Sequence, residues 1–165
     1  MPNASPSLSR PARAASDTGP VEHRRAAPGA TGIRGDGWFV DMLDAYRGSG
    51  GLVRADEIVA LFDLRGGPGV AALGRWMAEG RIIGFAWASD TWLPLFQFDR
   101  ADMRPKGGLQ RPLAELAPVC DAWELADWFA RPNAWLAERA PVGLLDSHPD
   151  AVLQAARADR FVVRW

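Results

Sequence analysis

Apolar residues in the first part of the chain recur at helical spacing. A first helix is predicted because one of its faces would carry Trp38, Phe39, Met42, Leu43 and Tyr46. The glycine-rich stretch 48–51 ends this helix. Two further helices are predicted over residues 56–62 and 70–79, and the second of them ends before Gly80.

The pattern then changes to runs of β-favouring residues. Residues 81–87 and 92–98 flank the polar turn 88–91 and predict a β-hairpin. Pro94 has no N–H to donate and is expected to restrict its strand to an edge. Trp87 and Trp92 are expected to pair across the strands, with contact to a partner as the alternative. Helices followed by a hairpin are the order of a winged helix-turn-helix.

The last third of the chain predicts short helices broken by prolines. A helix is expected over 109–119, and another begins at Asp121, which forms a capping-box pattern with Glu124. Pro132 and Pro141 break the chain again, and Pro149 lies near the start of the last helix. Such short helices must bury the large apolar residues on both sides of the breaks in order to be stable.

These elements divide the chain into four predicted parts. Residues 1–36 are rich in Pro, Ala, Ser, Gly and Arg and are expected to form a disordered tail. A winged-helix-turn-helix-like region is expected over 37–99, a polar linker over 100–108 and a small helical domain over 109–165. The predicted fold class is mainly α with one small β-hairpin, and the two halves are expected to pack together because neither has a large core.

Composition and charge exclude several classes of protein. The net charge of −1 argues against a strongly basic duplex-binding domain. Cys120 is the only cysteine, so the chain can form no intramolecular disulfide and no cysteine metal cluster. No apolar run reaches the length of about 18 residues that a spanning helix needs, and the N-terminus lacks the apolar segment of a secretory signal. We expect a cytoplasmic bacterial protein with no membrane association, no metal and no cofactor.

Catalytic chemistry is not indicated. The two histidines, His23 and His148, have no serine or cysteine nucleophile at a recognisable spacing, and no phosphate-binding lysine motif occurs. We therefore expect no catalytic residues, and a protein that is not an enzyme.

Two motifs resemble a family of bacterial antitoxins. The first is Leu-Pro-Leu-Phe-Gln-Phe-Asp at residues 93–99, and the second combines Pro132, Asn133 and Leu136 with a later Pro-x-x-Leu-Leu at residues 141–145. Together with the order of elements over roughly 53–159, they resemble the Xre/MbcA/ParS antitoxins, in which a helix-turn-helix region precedes a toxin-binding domain. The family usually has glycine two residues after the motif leucine, where this chain has Glu138.

The resemblance implies a type II antitoxin that neutralises a cognate toxin of the RES or ADP-ribosyltransferase-like type and represses its own promoter. The alternative is a stand-alone DNA-binding transcriptional regulator without a toxin partner. Toxin contacts are expected from Arg131, Asn133, Trp135, Leu136, Arg139, Leu144, Leu145 and Trp165.

DNA contacts are expected from Arg65, Arg75 and Arg81. Residues 54–81 carry four arginines and four carboxylates, so promoter binding and a role as scaffold or dimer element both stay open. Trp76 is interpreted as a core residue of its helix. A promoter-binding protein is expected to be a homo-oligomer.

Overall fold

The computed structural model describes residues 35–163 of the chain. This part is mainly helical and contains a small antiparallel sheet. Its helices and strands are α1 (Asp36–Tyr46), β1 (Leu52–Arg54), α2 (Ala55–Arg65), α3 (Gly69–Ala78), β2 (Phe85–Trp87), β3 (Asp90–Pro94), α4 (Gln110–Leu116), α5 (Ala122–Ala130) and α6 (Pro149–Val163). Short 3-10 turns lie at Arg47–Ser49, Leu95–Gln97, Gly107–Leu109, Ala134–Leu136 and Pro141–Gly143. Residues 1–34 of the predicted tail lie outside the described residues.

The sheet has one strand more than the predicted hairpin. β2 and β3 form that hairpin, and β1 pairs antiparallel with the other side of β3, with Leu52 opposite Pro94. β3 is therefore the central strand, and the prediction that Pro94 restricts its strand to an edge is wrong. Pro94 is tolerated there because β2 pairs with β3 only as far as Trp92, so Pro94 has a partner strand on one side only. β1 escapes prediction because three residues are too few to show a strand period.

The hairpin packs against the rest of the molecule through aromatic rings. Trp87 lies opposite Asp90 and Trp92 opposite Phe85, so the two tryptophans are not directly opposed as the sequence suggested. Both rings instead contact Phe39 of α1, with centroids 5.0 and 4.9 Å away. The two tryptophans that flank the hairpin turn therefore pack against α1 within the fold.

The larger of two hydrophobic clusters joins the beginning of the described chain to its end. Tyr46 of α1 is fully buried and donates its hydroxyl hydrogen to the carbonyl oxygen of Ala126 in α5, at 2.6 Å. Burial raises the pKa of the Tyr46 phenol well above its usual value. The buried members are Met42, Tyr46, Ile83, Phe85, Phe96, Leu109, Leu113, Ala126, Phe129, Ala130, Leu136, Leu144, Leu145, Val152 and Ala155.

The smaller cluster lies between α2, α3 and the sheet. Trp76 is 4% exposed, which confirms its interpretation as a core residue. Met103, in the predicted linker 100–108, is buried here, so this segment packs on the helices. The buried members are Ile58, Phe62, Ala72, Leu73, Trp76, Ile82, Leu93, Phe98 and Met103.

Gln97 lies at the boundary between the two clusters. Its fully buried side chain accepts the N–H of Ile83 at 2.7 Å and donates to the carbonyl oxygen of Ile83 at 2.9 Å. Phe96 belongs to the larger cluster and Phe98 to the smaller one. The glutamine of the 93–99 motif therefore pairs with backbone in place of a neighbouring strand, and the phenylalanines on either side of it fill the two cores.

The start of α5 follows the predicted capping box. Asp121 Oδ1 accepts the N–H of Glu124, and Glu124 Oε2 accepts the N–H of Asp121, both at 2.8 Å. These two bonds satisfy amide groups that have no partner within the helix.

Candidate partner-binding surface

The loop 131–139 follows α5 and is fixed from inside by two buried residues. Asn133 is 8% exposed, and its Oδ1 accepts the N–H of Trp135 at 2.9 Å. The N–H of Asn133 donates to the carbonyl oxygen of Arg139 at 3.1 Å, which closes the loop. Leu136 is 7% exposed and belongs to the larger cluster. Trp135 therefore lies between two anchored positions.

Asp159 of α6 connects this loop to two helices. Its Oδ2 accepts the Nδ2–H of Asn133 and the Nε1–H of Trp128, each at 2.7 Å. Hydrogen bonds to a carboxylate are stronger than those between neutral groups. Sequence reasoning did not identify this residue, because one aspartate near the end of an amphipathic helix looks like any solvated charge.

Trp135 itself points outward. Its side chain is 63% exposed, against 45% for Trp38, and the other described tryptophans are buried or half-buried. Ala137 and Glu138, which follow it, have φ angles of 53° and 59°. This is the left-handed region that favours glycine, and both residues carry a Cβ there. The loop thus presents a tryptophan on backbone held in an uncommon conformation.

The two predicted arginines of the loop are on its exposed side. Arg131 donates its Nε–H to Asp127 Oδ1 at 2.9 Å, and this hydrogen bond raises the pKa of the guanidinium. Arg139 is exposed and has no ion pair with any described residue. Arg131, Trp135 and Arg139 are thus the predicted toxin-binding residues that the loop presents to solvent.

The remaining predicted toxin contacts are below this surface or outside the described part. Leu144 and Leu145 are 4% and 2% exposed and belong to the larger cluster, as Leu136 does. They support the loop from beneath, and so does the buried Asn133. Trp165 lies outside the described residues.

The three predicted DNA contacts are separate from this loop and differ in their surroundings. Arg75 of α3 is exposed and has neither a hydrogen bond from its side chain nor an ion pair within the described part. Arg65 donates Nη1–H to the carbonyl oxygen of Arg100 at 2.7 Å, and Arg81 lies 3.7 Å from a carboxylate oxygen of Glu79.

A groove of about 1020 Å³ lies beside the end of α2. Its charged lining consists of Arg65, Arg100, Lys106, Asp99 and Asp146, and Lys106 pairs with Asp146. Three cations and two carboxylates nearly balance, so the groove presents little net charge to a ligand.

Ser147 and His148 form an exposed hydrogen-bonded pair, with Ser147 Oγ 2.8 Å from His148 Nδ1. Burial, with Glu124 and Asp121 nearby, raises the pKa of the Cys120 thiol to about 11, so it is protonated at neutral pH and a poor nucleophile. Within residues 35–163, no three side chains of His, Cys, Asp or Glu are placed to hold a metal ion. No helix in this range has the length and apolar character required to cross a bilayer.

Comparison of the chain with protein-family models, with curated proteins and with solved structures finds no match. What the exposed loop can bind is therefore inferred from its own chemistry.

Proposed function

We propose that this chain is an antitoxin that binds and neutralises a cognate protein toxin through the loop 131–139. The observation that carries the proposal is Trp135, a 63% exposed tryptophan held between two anchored positions. Tryptophan and arginine dominate the energetics of protein interfaces, and Arg131 and Arg139 lie on the same loop. A preordered loop also loses less conformational entropy on binding.

The resemblance to Xre/MbcA/ParS antitoxins supports a toxin of the RES or ADP-ribosyltransferase-like type. Neutralisation of this kind is steric, because the antitoxin covers the active site of its partner. Such a protein needs no catalytic group of its own, and we propose that it is not an enzyme.

Promoter binding is the second candidate, either by the antitoxin itself or by a regulator without a toxin. It is favoured by the order α1, β1, α2, α3, β2, β3 with β3 central, which resembles the order of elements in a winged helix. In this interpretation α3 is the recognition helix and Arg75 its available guanidinium. The packed hairpin and the near-neutral α2–α3 region weaken this candidate relative to toxin binding.

The decisive experiment co-expresses the chain with the product of its adjacent gene, with only one of the two proteins tagged. We expect the neighbour alone to arrest growth, and the chain to restore growth and to co-purify with it. A harmless neighbour that does not co-purify would overturn the proposal, and binding of the full chain to fluorescent promoter DNA would then test the second candidate.

The loop is tested by Trp135→Ala, with Trp38→Ala as the matched control. Removing an anchoring tryptophan typically costs at least about 2 kcal/mol of binding, so we expect toxin affinity to fall by about thirtyfold or more. Trp38→Ala removes an exposed tryptophan from α1 and should bind like the original chain. Equal affinities for all three proteins would exclude the loop as the toxin-binding surface.

Asp159 is tested as a positioning residue for this loop. The Asp159 carboxylate is hydrogen-bonded within the fold, so it acts on the loop and not on the toxin directly. Asp159→Ala leaves the N–H donors of Trp128 and Asn133 unpaired and should weaken toxin binding. Asp159→Asn retains an acceptor oxygen and should restore binding. If both variants bind the toxin as tightly as the original chain does, toxin binding by the loop does not depend on these two hydrogen bonds.

A further inference from the structure

The groove of about 1020 Å³ beside α2 lies where the two hydrophobic clusters meet. Phe96 and Leu145 of its lining belong to the larger cluster, and Phe98 and Met103 belong to the smaller one. Small-molecule sites typically occupy about 300–1,000 Å³ and combine apolar walls with a few charged groups that orient the ligand. The groove therefore has room for a small organic molecule.

Five glycines contribute to the lining and keep the groove open. Gly48 and Gly50 follow α1, Gly107 and Gly108 precede α4, and Gly143 precedes α6. A Cβ added at Gly48, Gly107 or Gly143 would meet no atom within 4 Å. These three positions therefore have open space beside them, and a ligand can approach their backbone.

The charged groups of the lining are paired unevenly, although their sum is close to zero. Lys106 forms an ion pair with Asp146, so these two charges cancel each other. Asp99 accepts the N–H of Ala101 at its Oδ1, with a distance of 2.8 Å, and is thereby engaged within its own turn. The two arginines of the groove are left without such a partner.

Arg65 and Arg100 meet on one side of the groove. The Nη1–H of Arg65 donates to the carbonyl oxygen of Arg100 at 2.7 Å, which joins the end of α2 to the segment 99–104. Neither guanidinium has an ion pair with a described residue, and the Arg100 side chain has no hydrogen bond to one either. Most of their N–H donors are therefore available to an anion, and the planar guanidinium fork fits pairs of phosphate oxygens.

We propose that this groove binds a small molecule that carries a phosphate monoester and an apolar group. Arg65 and Arg100 hold the phosphate, because its charge of about −2 near neutral pH matches two guanidiniums. The apolar group contacts the half-buried Leu61 and Leu95 of the lining. The groove shares no residue with the loop 131–139, so the proposal does not rest on toxin binding.

The first test adds phenyl phosphate to the isotope-labelled full chain and follows the glycine amide signals by NMR. We expect saturable shifts of Gly107, Gly108 and Gly143, whereas Gly74 and Gly80, which lie outside the groove, should not move. Inorganic phosphate lacks the apolar group and should bind more weakly. The absence of a saturable shift at the groove glycines, or equal affinity for the two probes, would overturn the proposal.

The second test removes the guanidiniums one at a time. Arg65→Gln and Arg100→Gln each delete hydrogen bonds to a charged group, so each should raise the Kd of phenyl phosphate about tenfold. Arg104→Gln is the matched control, because Arg104 is exposed on the same segment but lies outside the groove lining, 3.8 Å from a carboxylate oxygen of Asp102. Circular dichroism verifies that the three variants are folded.

Two results of these measurements would contradict the assignment. Equal effects of the three substitutions would attribute phosphate binding to the overall charge of the chain and not to the groove. Duplex DNA that shifts the groove glycines when phenyl phosphate does not would show that the two arginines contact nucleic acid and not a small molecule.

Discussion

The two hydrophobic clusters differ in how far apart their residues lie along the chain. The smaller cluster uses residues 58–103, and its helices α2 and α3 are separated by one turn. The larger cluster joins residues 42–155 and brings α1 against α5. Contacts between near neighbours close short loops at little entropic cost, whereas distant contacts require most of the chain to be in place. The larger cluster should therefore report on the whole fold.

The largest effect is expected from Phe129→Ala. Phe129 is fully buried in the larger cluster, and its truncation should lower the free energy of unfolding by about 3–5 kcal/mol. Hydrogen exchange should show reduced protection in α1, more than 80 residues earlier in the chain. The matched variant is Phe62→Ala, which truncates a fully buried ring of the smaller cluster. We expect a similar loss in the free energy of unfolding, measured by urea unfolding. Unchanged protection of α1 in Phe129→Ala would show that α1 does not depend on the larger cluster.

A smaller effect is expected where the clusters meet. Gln97→Ala leaves the buried N–H and carbonyl oxygen of Ile83 unpaired and should cost about 2–4 kcal/mol in urea unfolding. The control is Gln110→Ala, which removes an exposed amide that donates to the Arg81 carbonyl oxygen. We expect the control to cost less than about 1 kcal/mol. Equal costs would mean that Gln97 is not a structural link between the clusters.

The smallest effect concerns the surface of the larger cluster and depends on pH. Glu115 of α4 accepts hydrogen bonds from Arg157 and Arg160 of α6, and the bond from Arg157 contributes most to lowering its pKa. Because the pKa of Glu115 is lower in the folded protein than in the unfolded chain, its ionised carboxylate stabilises the fold at pH values above the unfolded pKa of about 4.3. This contribution is lost as the pH falls through the folded value.

Glu115→Gln should therefore lower the urea midpoint slightly at pH 7, and the difference from the original chain should shrink towards pH 3. Measuring the midpoints of both proteins at the two pH values tests this expectation. A difference of the same size at both would assign the effect to packing and not to the charge.

Local periodicity and turn chemistry account for what the sequence could predict of the fold. The helices, the hairpin and the Asp121 capping box depend on residues within a few positions of one another. β1 and the packing of α1 against α5 were not predictable in this way. Periodicity shows which face of a helix is apolar, but not which distant element covers it.

The candidate surface was predictable to a similar degree. The proline breaks indicated the loop, and Arg131, Trp135 and Arg139 are exposed on it. The pattern could not separate these residues from Asn133 and Leu136, which are buried, because a loop reverses direction within a few residues. Asp159 could not be identified, since it meets Asn133 from 26 positions away.

The hydrogen bond between Tyr46 and Ala126 has a consequence for synthesis of the protein. Its two residues are 80 positions apart, and the ribosome adds about 5–20 residues per second. About 4–16 s therefore pass between the synthesis of Tyr46 and that of Ala126, and during this time the apolar face of α1 has no α5 to pack against. Throughout that interval Met42 and Tyr46 are available to chaperones, and the nascent chain cannot complete its fold until its last helices have left the ribosome.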